Sequence, residues 1–248
     1  MRDVRPAAVA GTFYPGDAAE LAVAVRECLA GTAAPVAPAA SPKALIVPHA
    51  GYVYSGPIAA GAYARLASLR STIRRVVILG PTHRVAVRGL ALPSARAFAT
   101  PLGEVEVDRV AVATLAGLRQ VVVSDSAHAL EHSLEVQLPF LQSVLDDFRI
   151  VPLAVGDASP GEVAEVLDRL WGGPETLVVV SSDLSHFHGY AQAREIDRAS
   201  ADRILALDGP LDHEEACGAT PINALLLCAR RRKLEPELID LRNSGDTA

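Results

Sequence analysis

Short apolar runs alternate with amphipathic segments along the chain from residue 44 onwards. The apolar runs are rich in β-branched residues and predict buried strands at Ala44–Val47, Arg75–Leu79, Gln120–Val123, Ile150–Val155 and Thr176–Val180. The intervening segments predict helices at Pro57–Ser68, Asp108–Leu118, Ser133–Asp146, Pro160–Trp171, Tyr190–Leu207 and Thr220–Arg230. Continuous apolar strands alternating with helices are typical of a parallel sheet covered on both faces. The pattern therefore predicts an α/β fold, a three-layer α/β/α sandwich with a mixed, largely parallel sheet.

The remaining segments complete one domain, residues 1–248. Asp17 and Glu20 form a helix start signal and Gly31 a stop signal, so residues 17–31 are expected to be helical. Residues 32–43 are rich in Ala and Pro and predict a loop, which leads into the α/β body at residues 44–248. Three weaker patterns predict shorter strands: Val87–Leu92, Glu104–Val107 and Glu237–Leu241. We expect the first two to pair antiparallel at the sheet edge.

Composition and charge exclude several classes of protein. The formal net charge is −6, which argues against a nucleic-acid partner because phosphate contacts need clustered Lys and Arg. The first residues lack the apolar stretch of a signal peptide, and no run approaches the roughly 18 apolar residues of a membrane span. Three cysteines are too few for a disulfide scaffold. We therefore expect a cytoplasmic protein with reduced cysteines and no membrane partner.

Histidines follow three of the predicted strands. His49 comes after the first strand, His83 after the second, and His186 after the strand that ends at Val180. Ligands in open α/β sheets bind at the carboxyl ends of strands, so these three side chains are expected to converge. Each of them alone is as well explained by a structural role in its loop. Asp183 lies three residues before His186, and its carboxylate could orient an imidazole.

Cys217 is the fourth candidate for chemistry. It precedes a predicted helix, and a helix N-terminus lowers the pKa of a thiol. Cys28 and Cys228 lie on apolar helical stripes and are expected to be buried and chemically quiet. Two imidazoles and one thiolate suit a transition metal ion such as iron, copper or zinc. A further histidine could complete the site or serve as a general base.

Other polar segments are candidates for substrate contacts. Tyr54 belongs to a Gly-bounded loop, residues 51–56, that either shapes a pocket or covers the sheet edge. His132 lies at a predicted helix start, where capping is the alternative to substrate binding, and Ser182 follows a strand end. The segment GTFYPG, residues 11–16, is expected to anchor the N-terminal arm, with ligand binding as the alternative. The chain has neither a GxGxxG fingerprint after a strand nor a phosphate loop, so no nucleotide cofactor is expected.

Several of these segments together resemble the Memo family, which includes protein B of the AmmeMemoRadiSam system. The matching stretches are Arg5-Pro6 with AGTFYPGD, VPHAGYVYSGPIAAGAY, LGPTH, EHSLEVQLPFLQ, VPLAVGD, VVVSSDLSHF, CGATPINALL and LRNSGDTA. They occur in order along almost the whole chain. The family is in turn similar to the catalytic subunit of class III extradiol dioxygenases, which are non-haem iron enzymes with an α/β/α fold.

The resemblance implies roles for individual residues. The metal ligands would be His49, His83 and Cys217, with His186 in the place of the acid–base histidine of the dioxygenases. Cys217 stands where those enzymes have a carboxylate, and thiolate ligation favours a different metal chemistry. Some eukaryotic relatives are known as signalling adaptors that bind a phosphotyrosine peptide.

Three functions therefore remain open. The first is a metal-dependent oxidoreductase, related to the extradiol dioxygenases, that acts on an unidentified small molecule with catalytic residues His186, Asp183 and Cys217. The second is a non-catalytic binding module that uses the same cleft for a peptide or a modified side chain. The third is a hydrolase with Cys217 as nucleophile, activated by His49 or His186. Iron or copper is the expected cofactor of the first function, with zinc as a further possibility.

Overall fold

The computed structural model describes residues 3–32 and 41–247. Most of the predicted loop 32–43 lies outside these residues. In chain order, the strands are β1 Val4–Arg5, β2 Ala44–Val47, β3 Arg75–Pro81, β4 Leu90–Leu92, β5 Ala97–Thr100, β6 Gly103–Glu106, β7 Val121–Val123, β8 Arg149–Val155 and β9 Thr176–Ser181. The α-helices are α1 Ala18–Ala30, α2 Tyr52–Ala64, α3 Arg109–Ala113, α4 Asp125–Ala129, α5 Leu138–Val144, α6 Pro160–Leu170, α7 Tyr190–Leu205, α8 Ala219–Arg232 and α9 Ser244–Thr247.

The main sheet has the strand order β2-β9-β3-β8-β4-β7. Strands β2, β9, β3 and β8 are parallel, whereas β4 is antiparallel to β8 and parallel to β7. Alternate residues of β3 face opposite layers: Val76 and Ile78 pack in the core that includes residues of α1, α2 and α5, and Val77 and Leu79 pack in the core that includes residues of α6 and α8. Helices therefore cover both faces of a mixed, mostly parallel sheet, which confirms the predicted three-layer α/β/α fold.

The two short strands occupy different positions from those predicted. Strand β4 is antiparallel to β8 as expected, but it is not at the edge because β7 pairs on its outer side. Strand β6 lies outside the main sheet, in a small sheet of order β1-β5-β6, where it pairs antiparallel with β5. Strand β5 was not predicted, since the sequence AFAT of residues 97–100 is too short and alanine-rich to give a strand pattern.

The predicted strand at Glu237–Leu241 is wrong, because these residues have no regular secondary structure. They pack instead against α2. Glu237 accepts a hydrogen bond from Arg65 at 2.8 Å, and a methyl group of Ile239 lies over Gly61, 3.3 Å from where a Cβ would stand. Side-chain contacts with α2 therefore replace the backbone hydrogen bonds to a neighbouring strand that a β-strand would make.

Helix α2 begins earlier than predicted. The amide of Tyr52 donates to the carbonyl of Phe13, and the amides of Tyr54 and Ser55 donate to that of Gly51. These bonds form the first turn before Pro57, which lies inside the helix rather than at its start. Residues 52–56 are thus helical, not a loop, and Tyr54 is an exposed side chain of the first turn.

Other helix predictions agree in part, since α3 and α5 are shorter than the predicted Asp108–Leu118 and Ser133–Asp146, and the cysteines also agree in part. Ser159 and Glu162 form the predicted capping box at the start of α6. Cys228 is buried as predicted, but Cys28 is only partly buried, although its sulfur packs against Gly56 of α2. Among the described residues, no helix is both long and apolar enough to cross a membrane.

Candidate metal centre

The carboxyl ends of three neighbouring strands carry the candidate site. Strands β2, β9 and β3 lie side by side in the sheet, and all three are parallel. His49 follows β2, Asp183 follows β9 and His83 follows β3, each two residues beyond the strand. The sheet itself therefore brings these loops together, as parallel strands at one edge do.

Three imidazoles meet at this edge. The ring centroids of His49 and His83 are 5.1 Å apart, those of His49 and His132 are 5.3 Å apart, and those of His83 and His132 are 4.5 Å apart. One ring nitrogen from each lies within 4.8 Å of the others, close enough to hold a metal ion. We call these three residues the histidine cluster. His132 was predicted as a substrate contact, and the structure brings it into this cluster.

Cys217 approaches the histidine cluster from the N-terminus of α8. Its Sγ lies 3.3 Å from His49 Nε2. Burial raises the pKa of the Cys217 thiol, but hydrogen bonds with His49 and His83 outweigh it and lower the pKa to about 6. The two imidazoles thus lower the pKa of Cys217, and the thiolate predominates at neutral pH.

A close backbone approach makes this position of Cys217 possible. Gly218, the next residue, packs against the end of β9, where a Cβ would stand 2.7 Å from Ser182 Cβ and 3.1 Å from the Ser181 carbonyl. The Ser182 hydroxyl accepts from the Gly218 amide at 2.9 Å and donates to the Asp183 carbonyl at 2.8 Å. Only glycine fits here without displacing the segment that carries Cys217.

Glu131 is the residue that sequence reasoning missed. Its buried carboxylate accepts from the Nδ1 of His83 at 2.8 Å and from the amides of His83, His132 and Ser133 at 2.6, 2.9 and 2.9 Å. Burial raises the pKa of Glu131, but the bonds from His83 and Ser133 lower it to about 2. Bonds to Cys217 and Glu131 raise the pKa of His83 to about 9. Glu131 lies in the quoted stretch EHSLEVQ, yet no spacing rule marks it as a partner of His83.

His49 is held at both its backbone and its ring. Its amide donates to Asp183 Oδ1 at 2.7 Å, and its Nδ1 lies 3.0 Å from Ser181 Oγ. The carbonyl of Asp183 also accepts from the Cys217 amide at 3.2 Å, so Asp183 joins the two segments. Burial lowers the pKa of His49, but the hydrogen bond with Cys217 and the charge of Asp183 together outweigh burial, so that the net shift is upward.

His132 is shielded on one side by the N-terminal arm. The Phe13 ring lies 4.7 Å from the His132 ring, and the neighbouring Tyr14 hydroxyl donates to the buried Glu135. Burial, together with the charge of His49, lowers the pKa of His132 to about 4. His132 is therefore neutral at neutral pH, and its ring lies between those of Phe13 and His83.

The remaining predicted residues are not part of the histidine cluster, where His132 takes the place expected for His186. His186 is half-exposed, and its Nε2 is 3.9 Å from Asp183 Oδ2, which in turn is 4.0 Å from His49 Nε2. Tyr54, Asp183 and His186 line a cavity of about 1380 Å³ that also borders β2. Ser182 is buried, and its hydroxyl hydrogen-bonds to the Gly218 amide and the Asp183 carbonyl.

Comparison with known proteins identifies the family of this chain. A family model described as "Memo-like protein" matches residues 5–248. The chain belongs to the Memo family. It is 37% identical to a MEMO1 family protein of Ignicoccus hospitalis over 270 residues, which cover 99% of this chain and 93% of that protein. It is 38% identical to one of Methanopyrus kandleri, over 98% of this chain and 93% of that protein, and 32% identical to one of Sulfolobus acidocaldarius, over 99% and 94%.

Family membership confirms the resemblance seen in the sequence motifs. The Memo stretches VPHAGY and LGPTH contain His49 and His83, and EHSLEVQ contains Glu131 and His132. In the structure, three of these residues form the histidine cluster and Glu131 orients one of them. Three Memo stretches that are distant in the sequence thus meet at one site in the folded protein.

Proposed function

We propose that this Memo-family protein binds a transition metal ion through His49, His83 and Cys217 and acts as a metal-dependent oxidoreductase. One observation carries the proposal: the Cys217 sulfur lies 3.3 Å from His49 Nε2, while the Nδ1 atoms of His49 and His83 are engaged by Ser181 and Glu131. Metal-binding histidines commonly use their second nitrogen in this way, since the outer partner fixes the ring.

The donor set fits a metal ion in charge as well as in geometry. A thiol with a pKa of about 6 supplies an anionic ligand at neutral pH, His49 Nε2 lies 3.3 Å from it, and His83 has a ring nitrogen within 4.8 Å of one of His49. A metal ion would displace the protons that the two imidazoles share with the thiolate in the metal-free protein. His132 is then free to contact substrate, as its sequence position suggested, or to complete the coordination.

Iron or copper is the metal that we favour, with zinc as the alternative. A thiolate with two imidazoles suits copper and zinc as well as iron, because the thiolate is a soft ligand. When bound, a redox-active ion would supply electron transfer that no side chain of the cluster provides. The dioxygenase resemblance favours iron, and the thiolate in the place of a carboxylate favours a chemistry other than that of the dioxygenases.

We propose His186 as a general acid or base beside the metal, oriented by Asp183. Its imidazole is half-exposed, lies 3.9 Å from the Asp183 carboxylate and lines the cavity of about 1380 Å³, which the side chains of His49, His83 and Cys217 do not line. Imidazole is the commonest general acid–base group of enzymes. Tyr54, on the same cavity wall, is the proposed contact for an unidentified small molecule, and Ser182 is the proposed polar contact at the end of β9.

A binding module that takes up a peptide in the same cleft is the second candidate. Its support is the cavity of about 1380 Å³, which Asp183 and His186 line although the proposed metal ligands do not, and the fully exposed ring of Phe187, which also lines this cavity. Exposed aromatic side chains are common anchors at interfaces. Oxygen consumption with candidate catechols distinguishes this function from the first, because a binding module consumes none.

The metal content of protein purified without air tests the proposal. We expect about one equivalent of metal per chain in the wild type and none in His49→Ala or Cys217→Ser. The matched controls are His213→Ala, an exposed histidine outside the cluster, and Cys28→Ser, a partly buried cysteine on α1, and both should retain the metal. Metal-free wild type that still hydrolyses esters through Cys217 would favour the nucleophile hypothesis instead. Metal that is retained in Cys217→Ser would contradict the proposed ligand set.

A further inference from the structure

Behind His49 lies a chain of buried hydrogen bonds that ends on two backbone carbonyls. The side chains of Tyr63, Gln137 and Ser181 are each no more than 1% exposed. They belong to α2, to the turn before α5 and to the end of β9, so this series of hydrogen bonds links three parts of the fold. We call these three residues the Ser181 chain. None of them was a candidate in the sequence.

The orientation of the Gln137 amide is determined by its partners. Its Nε2 lies 2.9 Å from the Pro48 carbonyl and 2.8 Å from Ser181 Oγ, and its Oε1 lies 2.8 Å from the Tyr63 hydroxyl. A carbonyl only accepts, so the atom facing Pro48 must be the NH₂ group. The flipped amide would place two oxygens against each other. The two amide hydrogens of Gln137 therefore go to Pro48 and Ser181, one to each.

The same reasoning determines the hydroxyl of Ser181. Its single hydrogen is donated to the Ser133 carbonyl at 2.6 Å, which again only accepts. One lone pair of Ser181 Oγ receives the Gln137 hydrogen. The atom has only one lone pair left for the His49 Nδ1 at 3.0 Å. His49 must therefore carry a hydrogen on Nδ1.

We propose that the Ser181 chain selects the Nδ1–H tautomer of His49 and thereby presents the lone pair of Nε2 to the metal ion. This role deepens the proposed function. The presentation of Nε2 to a metal ion rests on that function, whereas the selection of the tautomer does not. In the neutral ring, the hydrogen on Nδ1 leaves Nε2 unprotonated, and Nε2 is the atom 3.3 Å from the Cys217 sulfur. Ser181 acts through His49, so it is a positioning residue and not a ligand.

Nuclear magnetic resonance of the metal-free protein with ¹⁵N-labelled histidine tests the tautomer directly. At a pH at which the His49 ring is neutral, the ring-nitrogen shifts should place the hydrogen on Nδ1 in the wild type. Ser181→Ala should give a mixture of both tautomers, whereas Ser181→Thr, which keeps the hydroxyl, should restore the wild-type shifts. A hydrogen on Nε2 in the wild type would overturn the proposal, and this measurement needs no variant to fold.

Zinc affinity, measured by competition with a chromophoric chelator, supplies the second readout. We expect Ser181→Ala to weaken zinc binding by about 10- to 100-fold, as the loss of such an outer partner does. Ser200→Ala is the matched control, because Ser200 is also fully buried and donates to a backbone carbonyl, at 3.0 Å to Ile196, but on α7. It should lose stability without losing zinc affinity.

The two readouts separate the inference from the proposed function. Unchanged tautomer and zinc affinity in Ser181→Ala would overturn the role of the Ser181 chain and leave metal binding intact. A wild type with the Nδ1–H tautomer that binds no zinc would instead contradict the proposed ligand set, while the tautomer selection would stand.

Discussion

The carboxylate of Glu131 holds His83 at two atoms, accepting from its backbone amide at 2.6 Å and from its ring Nδ1 at 2.8 Å. The two bonds fix both the position of the loop after β3 and the rotation of the imidazole. Since a carboxylate only accepts, the Nδ1 of His83 carries a hydrogen and its Nε2 faces the cluster. Glu131 thus does for His83 what Ser181 does for His49.

The first prediction concerns this pair. Glu131→Gln keeps the shape of the side chain but removes the charge and one acceptor, so His83 should lose its fixed orientation. We expect zinc affinity to fall by about 10- to 100-fold and the free energy of unfolding to fall by about 1–3 kcal/mol, because buried amides lose partners. Chelator competition and urea unfolding measure the two effects. Glu195→Gln, at an exposed position of α7, should change neither. Wild-type affinity in Glu131→Gln would contradict the role of Glu131.

The second prediction concerns the reactivity of Cys217. Its pKa of about 6 means that alkylation of the metal-free protein should rise through a midpoint near pH 6. Burial raises the pKa of Cys28 and of Cys228, so these two should react slowly across the same range. Mass spectrometry of peptides after iodoacetamide treatment follows each thiol separately. A midpoint for Cys217 near the ordinary value of about 8.5 would show that the imidazoles do not stabilise the thiolate.

The third prediction concerns the glycine next to Cys217. In Gly218→Ala, the new Cβ would stand 2.7 Å from Ser182 Cβ, so the segment must move away from the end of β9. We expect a loss of about 1–3 kcal/mol in the free energy of unfolding and a rise in the pKa of Cys217, because its sulfur leaves His49. Gly161→Ala is the control, since the nearest atom to its Cβ would be 3.9 Å away, and the variant should be at least as stable as the wild type. The alkylation midpoint and urea unfolding test both variants, and an unchanged midpoint in Gly218→Ala would count against the close approach.

The fourth prediction concerns acid stability. His128 is buried, and its Nδ1 has no hydrogen-bond partner among the described residues. Because burial disfavours the charged ring, the pKa of His128 is lowered from 6.5 to about 4. As the pH falls below 6.5, the unfolded chain takes up a proton that the folded chain refuses. Stability from this group is therefore fully present above pH 6.5 and is lost towards pH 4, by about 3 kcal/mol in total.

Urea unfolding at a series of pH values measures this effect. His128→Gln should lose less stability between pH 7 and pH 4 than the wild type, whatever its stability at neutral pH. His132, whose pKa is also lowered to about 4, remains in both proteins and cancels in the comparison. Identical pH dependence in the two proteins would contradict the prediction.

The sequence predicted the parts of the site that depend on the ends of strands. His49 and His83 follow strands whose apolar runs are unambiguous, and parallel strands bring their carboxyl ends together. Cys217 was indicated by the helix that follows it and by the glycine at its side. The three-layer fold followed from the same alternation of strands and helices.

The parts that depend on contacts distant in the sequence were not predicted. Glu131 lies 48 residues from His83, and Ser181 lies 132 residues from His49. No local pattern distinguishes a serine that orients an imidazole from one that ends a strand. His132 is a similar case, because its place in the cluster depends on where the loop after α4 meets the loop after β3. The strand wrongly predicted at Glu237–Leu241 was overridden by packing on α2.

Anomalous diffraction from crystals loaded with one equivalent of zinc, grown without air, tests the central claim most directly. The account predicts one strong peak bonded to His49 Nε2, His83 Nε2 and Cys217 Sγ, at about 2.0–2.1 Å from the nitrogens and about 2.3 Å from the sulfur. A peak bonded to the three imidazoles of the histidine cluster but not to Cys217, or the absence of a peak at this edge of the sheet, would contradict it.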